Sequence, residues 1–170
     1  HYISIHKYLF EDIYPFAGEF REENIGKGEF RFASFEYIEP ELDRLLNELK
    51  QENFLAGLSK QELAKRLAYY LSELNVLHPF REGNGRSTRI WLDLILKKEL
   101  NQVVDWSKID KEEYLLAMER SPIKDTEIKL LLQSALTDQI NNRQVFMKGI
   151  DASYEYEGYS TYKMEELANI

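Results

Sequence analysis

One stretch of the chain, Arg86 to Lys98, is apolar on nearly every side of a helix. Its apolar members are Ile90, Trp91, Leu92, Leu94, Ile95 and Leu96. A helix without a polar face cannot lie on a protein surface, so other elements must surround it. This segment therefore predicts a central buried helix, and the remaining 157 of 170 residues must supply its cover.

Helical spacing of apolar residues recurs along the rest of the chain. It predicts helices over 3–14, 38–49, 60–77, 108–120, 125–142 and 144–157. Ser59 and Glu62 form the S-x-x-E pattern of a capping box at the third of these. Its apolar stripe continues by four from Leu74 to His78, and Pro79 disfavours helix at His78. The helix should therefore end at His78, with that side chain on its buried side.

The segment 25–33 has a different pattern. Gly26-Lys27-Gly28 precedes Phe30 and Phe32, which alternate with Arg31. Alternation next to glycines predicts a β-hairpin, with an ordinary surface loop as the alternative. We call residues 25–33 the flap. The predicted fold class is thus all-α, a helical bundle with a small β-hairpin.

Composition excludes several function classes. The chain has 30 acidic and 22 basic residues, a net charge of -8, which argues against direct nucleic-acid binding. It contains no cysteine and three histidines, so disulfides and multi-histidine metal centres are not expected. No apolar run reaches the roughly 18 residues of a membrane span. The sequence begins at His1 without a secretory segment, so we expect a trimmed chain, no membrane contact and a cytoplasmic location.

The loop between the third predicted helix and the central one contains residues suited to phosphate chemistry. Gly83-Asn84-Gly85 enters a helix and can turn successive N–H groups towards an anion. Arg86 and Arg89 are three apart, so both can point at that anion. Glu82 suits Mg²⁺ beside a polyphosphate. His78, with an ordinary pKa of about 6.5, suits a general base.

Each of these residues has a simpler interpretation, as a helix cap, a turn or a surface ion pair. The combination does not. H-P-F-x-x-G-N-G-R arises by chance roughly once in 10⁷ chains of this length. We call residues 78–89 the motif loop.

The motif loop is identified as the Fic family signature, H-P-F-x-[DE]-G-N-G-R-x-x-R, matched at every position from His78 to Arg89. The upstream stretch IHKYLFEDIYPFAGEFR also resembles the family's N-terminal helix and A-G-x-x-R segment. The resemblance implies the Fic-fold helical bundle, with a Fic core over 1–143 that contains the flap and the motif loop. It assigns 144–170 to a C-terminal inhibitory helix and tail.

The resemblance also implies an activity, the transfer of AMP from ATP to a Tyr, Ser or Thr hydroxyl of a protein. His78 would be the base and Glu82 the Mg²⁺ ligand. The implied ATP-binding residues are Gly83, Asn84, Gly85, Arg86, Ser87, Arg89, Lys27, Lys111 and Tyr114. The implied target-docking residues of the flap are Gly28, Phe30 and Phe32.

A second motif, [ST]-x-x-x-E-[GN], is present once, from Ser153 to Gly158. After a complete Fic signature it resembles the inhibitory helix of the family's third class. Ser153 and Glu157 are four apart and share a helix face. Glu157 would pair with Arg89 and occupy the site of the γ-phosphate. Tyr154 is a candidate for self-modification that would release this helix.

Two alternatives stay open. One is a different transfer on the same motif, of phosphoryl or phosphocholine groups, or AMP removal. The other is a non-catalytic module that senses nucleotide. For partners, the resemblance suggests a protein substrate such as DNA gyrase or a related topoisomerase. Separately, self-association into a homo-oligomer would stabilise the inhibitory helix and make activity depend on concentration.

Overall fold

The structure, a computed structural model, describes residues 1–159 and 163–167. The predicted tail 144–170 therefore includes residues 160–162 and 168–170, which lie outside the described residues. The chain divides into two compact units, His1–Leu92 and Asp93–Ile170. The boundary lies within the helix Asn84–Leu100. Ile90 and Leu94 of this helix are exposed, so the prediction that it is buried on nearly every side was wrong. The division into a core over 1–143 and a C-terminal helix and tail over 144–170 stays a prediction. In the part of the chain that is described, no helix is both long and apolar enough to cross a membrane.

The first unit contains three helices, a hairpin and the start of a fourth helix. These elements are α1 (Tyr2–Phe10), β1 (Gly26–Lys27), β2 (Phe30–Arg31), α2 (Ile38–Gln51), α3 (Lys60–Leu77) and the first half of α4 (Asn84–Leu100). Two 3-10 turns, Phe35–Tyr37 and Asn53–Leu55, flank α2. β1 and β2 are antiparallel, with Lys27 opposite Phe30, so the predicted hairpin is confirmed.

Among its described residues, the second unit contains the rest of α4 and four further helices. These elements are β3 (Val103–Val104), a 3-10 turn (Trp106–Lys108), α5 (Lys111–Arg120), α6 (Thr126–Ala135), β4 (Leu136–Thr137), α7 (Arg143–Tyr156) and α8 (Met164–Leu167). The all-α class with a small hairpin is confirmed. α7 packs against the Trp106–Lys108 turn, where Tyr156 Oη donates to the carbonyls of Trp106 and Ile109, 2.8 Å each.

Local sequence explains the helix starts. The capping box is present: Ser59 Oγ accepts from Glu62 N–H, and the Glu62 carboxylate accepts from Ser59 N–H. Asp110 and Asn142 cap α5 and α7 in the same way, each accepting from two backbone N–H groups. These side chains satisfy donors that the first helical turn leaves unpaired.

Two predicted helices end several residues earlier than expected. The first helix ends at Phe10, not residue 14, and Ile13 is 65% exposed. Its buried residues are Tyr2, His6 and Phe10. After Phe10 the chain continues as a turn, in which the N–H groups of Ile13 and Tyr14 both donate to the Phe10 carbonyl, so the prediction of helix through residue 14 was wrong.

The helix predicted over 125–142 ends at Ala135. Leu136 and Thr137 pair instead with Val104 and Val103 as a second two-stranded sheet. Asp105 N–H also donates to the Ala135 carbonyl, 2.8 Å away. The apolar periodicity continues through Ile140, but these long-range backbone bonds are invisible to a local pattern.

Candidate active site

His78 lies in a left-handed turn immediately after α3, with φ 45° and ψ 62°. Its backbone N–H still donates to the Leu74 carbonyl, 2.9 Å away, so it closes the helix. A residue with a Cβ is strained in this region by about 1–2 kcal/mol. The predicted helix end is therefore confirmed, and the surrounding contacts must hold the turn in place.

Arg21 provides those contacts. It is 2% exposed, and its guanidinium donates to the carbonyls of His78 (Nε, 2.8 Å) and Leu77 (Nη2, 3.1 Å). It also donates to the carbonyls of Ala33 in the flap and of Glu23. Its backbone N–H donates to the Pro79 carbonyl, 2.9 Å away. One buried side chain thus ties the His78 turn to the base of the flap.

The His78 ring is held neutral. It stacks on Phe32, with ring centroids 3.7 Å apart and planes inclined by 13°. Burial lowers the pKa of His78 to about 4, assisted by the positive charges of Arg21 and Lys27 and opposed by a hydrogen bond to the Asn75 backbone. A neutral imidazole at cellular pH can accept a proton, as the predicted base requires.

Asn84 fixes the turn between His78 and the nest. Its side-chain Oδ1 accepts from Phe80 N–H (2.9 Å) and its Nδ2 donates to the Phe80 carbonyl (2.7 Å). Both polar atoms of the Asn84 side chain are therefore bonded to the backbone of Phe80 in the loop. Its own N–H, at the start of α4, remains the predicted anion contact.

Gly83 is required by its surroundings. Its φ is +79°, and a Cβ there would lie 2.3 Å from Phe10 Cε2. The Phe10 ring therefore lies directly against the glycine, and the chain can make this approach only without a side chain. Gly85 follows as the second residue of α4, so the predicted nest leads directly into a helix N-terminus.

Glu82 lies beside the nest with a side chain that is 40% exposed. Its Oε1 accepts from Gly83 N–H (3.1 Å) and pairs with Arg86 Nη2 (3.2 Å). In the described ranges, 1–159 and 163–167, no group of three or more acidic or histidine residues could hold a metal. A single reachable carboxylate fits Mg²⁺ that takes most of its ligands from phosphate and water.

The remaining motif-loop residues differ in accessibility. Arg89 is buried, and the guanidinium of Arg86 lies 4.7 Å from the centre of the Phe10 ring. Ser87 is fully buried, and its N–H donates to the carbonyl of Gly83, the residue before α4. Arg86, Arg89 and Ser87 all stay predicted ATP contacts, although Ser87 shows no exposed surface.

Sequence reasoning missed the support that α1 gives to the motif loop. Tyr2 Oη is 2.9 Å from Thr88 Oγ1. His6, fully buried, donates from Nε2 to the Glu82 carbonyl, and its Nδ1 accepts from Gly18 N–H, 2.9 Å each. The i, i+4, i+8 spacing of Tyr2, His6 and Phe10 was the available signal. It was not used because a tyrosine and a histidine are not typical core residues.

The flap is exposed, in contrast to this support. Lys27, Gly28 and Glu29 are exposed. Gly28 has φ +60°, and a side-chain Cβ at this position would have no neighbouring atom within 4 Å. Phe30 and Phe32 are half-buried and contact each other edge to face. Their predicted role in docking a target, like that of Gly28, stays a prediction, as does the contact of Lys27 with ATP.

The other predicted residues lie in the second unit. Lys111 is exposed at the start of α5. Tyr114 is buried and stacks on Tyr156 at 4.4 Å, which gives it a structural role and leaves its adenine contact a prediction. Ser153 and Tyr154 lie in the last turns of α7, Glu157 follows its last residue, and Gly158 has φ +87°. The helix thus ends where the glycine was expected to stop it.

Comparison with known proteins agrees with this geometry. The chain is 35% identical over 139 residues to "Probable protein adenylyltransferase Fic" of Salmonella typhimurium, which covers 81% of this chain and 69% of that protein. It is 37% identical over 148 residues to "Protein adenylyltransferase VbhT" of Bartonella schoenbuchensis. That match covers 85% of this chain but 30% of the relative, so the chain spans less than a third of that protein.

Among solved structures, the fold is similar to the BepC protein of Bartonella tribocorum, determined with bound AMPPNP. The TM-score is 0.70 at 28% identity, covering 81% of this chain and 73% of that one. Residues 1–96, which include the flap and the whole motif loop, match the Fic/DOC family. With the motif, the fold and the relatives in agreement, the chain belongs to the Fic/DOC family.

Proposed function

We propose that this protein transfers AMP from ATP to a Tyr, Ser or Thr hydroxyl of a protein. The observation that supports this most strongly is the neutral His78, which is held in a strained turn five residues before Gly83, the first glycine of the nest. A base and a polyphosphate site this close together suit attack of a hydroxyl on phosphorus. The names of the curated relatives support the same reaction.

The proposed reaction forms one bond and breaks one bond. The target hydroxyl oxygen attacks the α-phosphorus, and the bond from that phosphorus to the α–β bridging oxygen breaks. His78 takes the hydroxyl proton, and pyrophosphate leaves with the bridging electron pair. The N–H groups of Gly83–Gly85 and the guanidinium groups of Arg86 and Arg89 would stabilise the phosphate charge.

Glu82 is the residue we propose for Mg²⁺, which would neutralise phosphate charge next to the departing pyrophosphate. In the free protein this carboxylate pairs with Arg86. Binding of magnesium-ATP would therefore exchange an internal ion pair for two contacts with the ligand, since Glu82 turns to the metal and Arg86 to phosphate.

We further propose that the motif at the end of α7 inhibits the enzyme. A carboxylate from Glu157 would pair with Arg89 and exclude the γ-phosphate, so that ATP binds in an unproductive position. Helix α7 is formed through Tyr156, Glu157 follows its last residue, and Gly158 has a left-handed conformation. These features give the motif the form of a helix end on which Ser153 and Glu157 share a face.

The test uses α-labelled ATP with Mg²⁺ and four proteins. These are the parent chain, Glu157→Gly, Glu157→Gly with His78→Ala, and the control Glu155→Gly, which makes the same change two residues away in α7. We expect strong labelling only with Glu157→Gly, and a loss of at least 10³-fold on adding His78→Ala. No labelling by any protein that still binds ATP would contradict the transfer.

Self-modification would act at Tyr154, which is 42% exposed near the end of α7. Mass spectrometry of the Glu157→Gly protein after long incubation with ATP should find AMP on the Tyr154 peptide, and Tyr154→Phe should remove it. An unmodified peptide would exclude this site.

The protein target is proposed from the resemblance, and the assembly state from the stabilisation that self-association would give the inhibitory helix. DNA gyrase or a related topoisomerase should accept label from the Glu157→Gly protein. An oligomer should appear in light scattering as a mass above 20.2 kDa that falls on dilution. Unlabelled gyrase and a monomeric mass at all concentrations would refute these two proposals. A cytoplasmic location stays a prediction.

A further inference from the structure

His6 is the buried histidine that the proposed reaction does not use. Its Nδ1 faces Gly18 N–H, a donor, so Nδ1 must carry the lone pair. The proton is therefore on Nε2, which donates to the Glu82 carbonyl. This hydrogen bond joins α1 to a residue 76 positions later in the chain. The carbonyl that accepts it belongs to the peptide bond between Glu82, the candidate metal ligand, and Gly83.

The ring is also oriented by packing. It stacks on Phe80 with centroids 3.7 Å apart and planes inclined by 12°. Asn84 holds the backbone of that same Phe80, so the segment 80–84 is bonded from two sides. Within this segment the Glu82 carbonyl accepts its hydrogen bond from His6.

We propose that His6 is a positioning residue, which fixes the peptide plane between Glu82 and Gly83 through its Nε2–H and thereby sets the Glu82 carboxylate and the first N–H of the nest for magnesium-ATP. That peptide plane includes both the Glu82 carbonyl and the Gly83 N–H, because a peptide unit is planar. Rotation of this peptide plane would move the Gly83 N–H, which now donates to Glu82 Oε1. Partners of this kind orient metal ligands without touching the metal.

Two substitutions separate the two nitrogens of the ring. In glutamine, Nε2 lies two bonds beyond Cγ, as in histidine, and can donate to the Glu82 carbonyl. In asparagine, Oδ1 lies one bond beyond Cγ, as Nδ1 does, and can accept from Gly18 N–H. Both variants lose the ring stacked on Phe80, so each controls for the packing that the other loses.

The experiment, which rests on the proposed function, compares His6→Gln and His6→Asn in the Glu157→Gly background. Titration calorimetry measures the Kd of ATP with Mg²⁺ and with EDTA, labelling gives KM and kcat, and urea unfolding gives stability. For His6→Asn we expect the Kd and KM of magnesium-ATP to rise about 10- to 100-fold, with a smaller change in EDTA. For His6→Gln we expect a change within about threefold, because the donor to Glu82 is kept.

The outcomes are distinguishable. Equal losses of affinity in both variants, in proportion to their unfolding midpoints, would overturn the positioning role and leave AMP transfer intact. Loss of magnesium-ATP affinity in His6→Asn but not in His6→Gln would support the positioning role. If the Glu157→Gly background itself then transferred no label, AMP transfer would be refuted while the positioning role stood.

Discussion

The motif loop and the flap lie next to each other, yet the chain holds them very differently. The backbone of the motif loop is bonded by buried side chains from two other segments, Arg21 and His6, and by Asn84 of the loop itself. The flap consists of two two-residue strands with exposed tips. The difference indicates that the geometry of the proposed phosphate site is fixed by the fold, while the edge of the hairpin is exposed.

The first comparison places the same methyl group in each region. Gly83→Ala adds a Cβ 2.3 Å from Phe10 in a left-handed turn, so we expect a loss of about 2–5 kcal/mol of unfolding free energy. Gly28 also has a positive φ, but a Cβ there would meet open space, so for Gly28→Ala we expect a loss of about 1–2 kcal/mol of unfolding free energy. Urea denaturation measures both, and equal losses would remove the contrast between the regions.

A pair of arginines gives the next effect. Arg21→Met leaves the buried carbonyls of His78, Leu77 and Ala33 without a donor, which should cost about 3–5 kcal/mol and most of the transferase activity. Arg31 is exposed in the flap, so Arg31→Met should change the free energy of unfolding by no more than about 0.5 kcal/mol. Unfolding curves that shift by the same amount would contradict the role given to Arg21.

These contacts also mark the limit of what the sequence could predict. The capping box, the end of α3 at His78 and the hairpin followed from local chemistry, and the motif loop followed from its residues. Apart from Glu23, the backbone partners of Arg21 and His6 lie 12 to 76 residues away, which no local pattern specifies. The end of α6 at Ala135 depended on Val103 and Val104 for the same reason.

A smaller effect concerns the ring stacked between the two regions. Phe32→Ala uncovers His78, so its pKa should rise from about 4 towards the ordinary 6.5. The base is lost when the ring is protonated, so activity falls as pH drops through that pKa. In the Glu157→Gly background, kcat/KM should be constant from pH 8 to pH 5 with Phe32 and should fall below about pH 6 without it. Identical profiles would show that Phe32 does not set the pKa of His78.

The same pKa predicts how stability depends on pH. Unfolded His78 binds a proton below about pH 6.5, whereas the native ring stays neutral to about pH 4. The unfolded state therefore gains protons first, and the free energy of unfolding should decrease as pH falls between these values. His78→Ala should show a shallower decrease in denaturation curves at pH 4.5, 5.5 and 6.5. An unchanged slope would place the pKa of native His78 near its ordinary value.

The most direct test of the central claim is which phosphate reaches the protein. The Glu157→Gly protein would be incubated with Mg²⁺ and ATP labelled at either the α- or the γ-phosphate, with the His78→Ala double variant beside it. Attack at the α-phosphorus predicts labelled protein from α-labelled ATP alone, and none from the double variant. Protein labelled from the γ-phosphate would instead show phosphoryl transfer and contradict the proposed reaction.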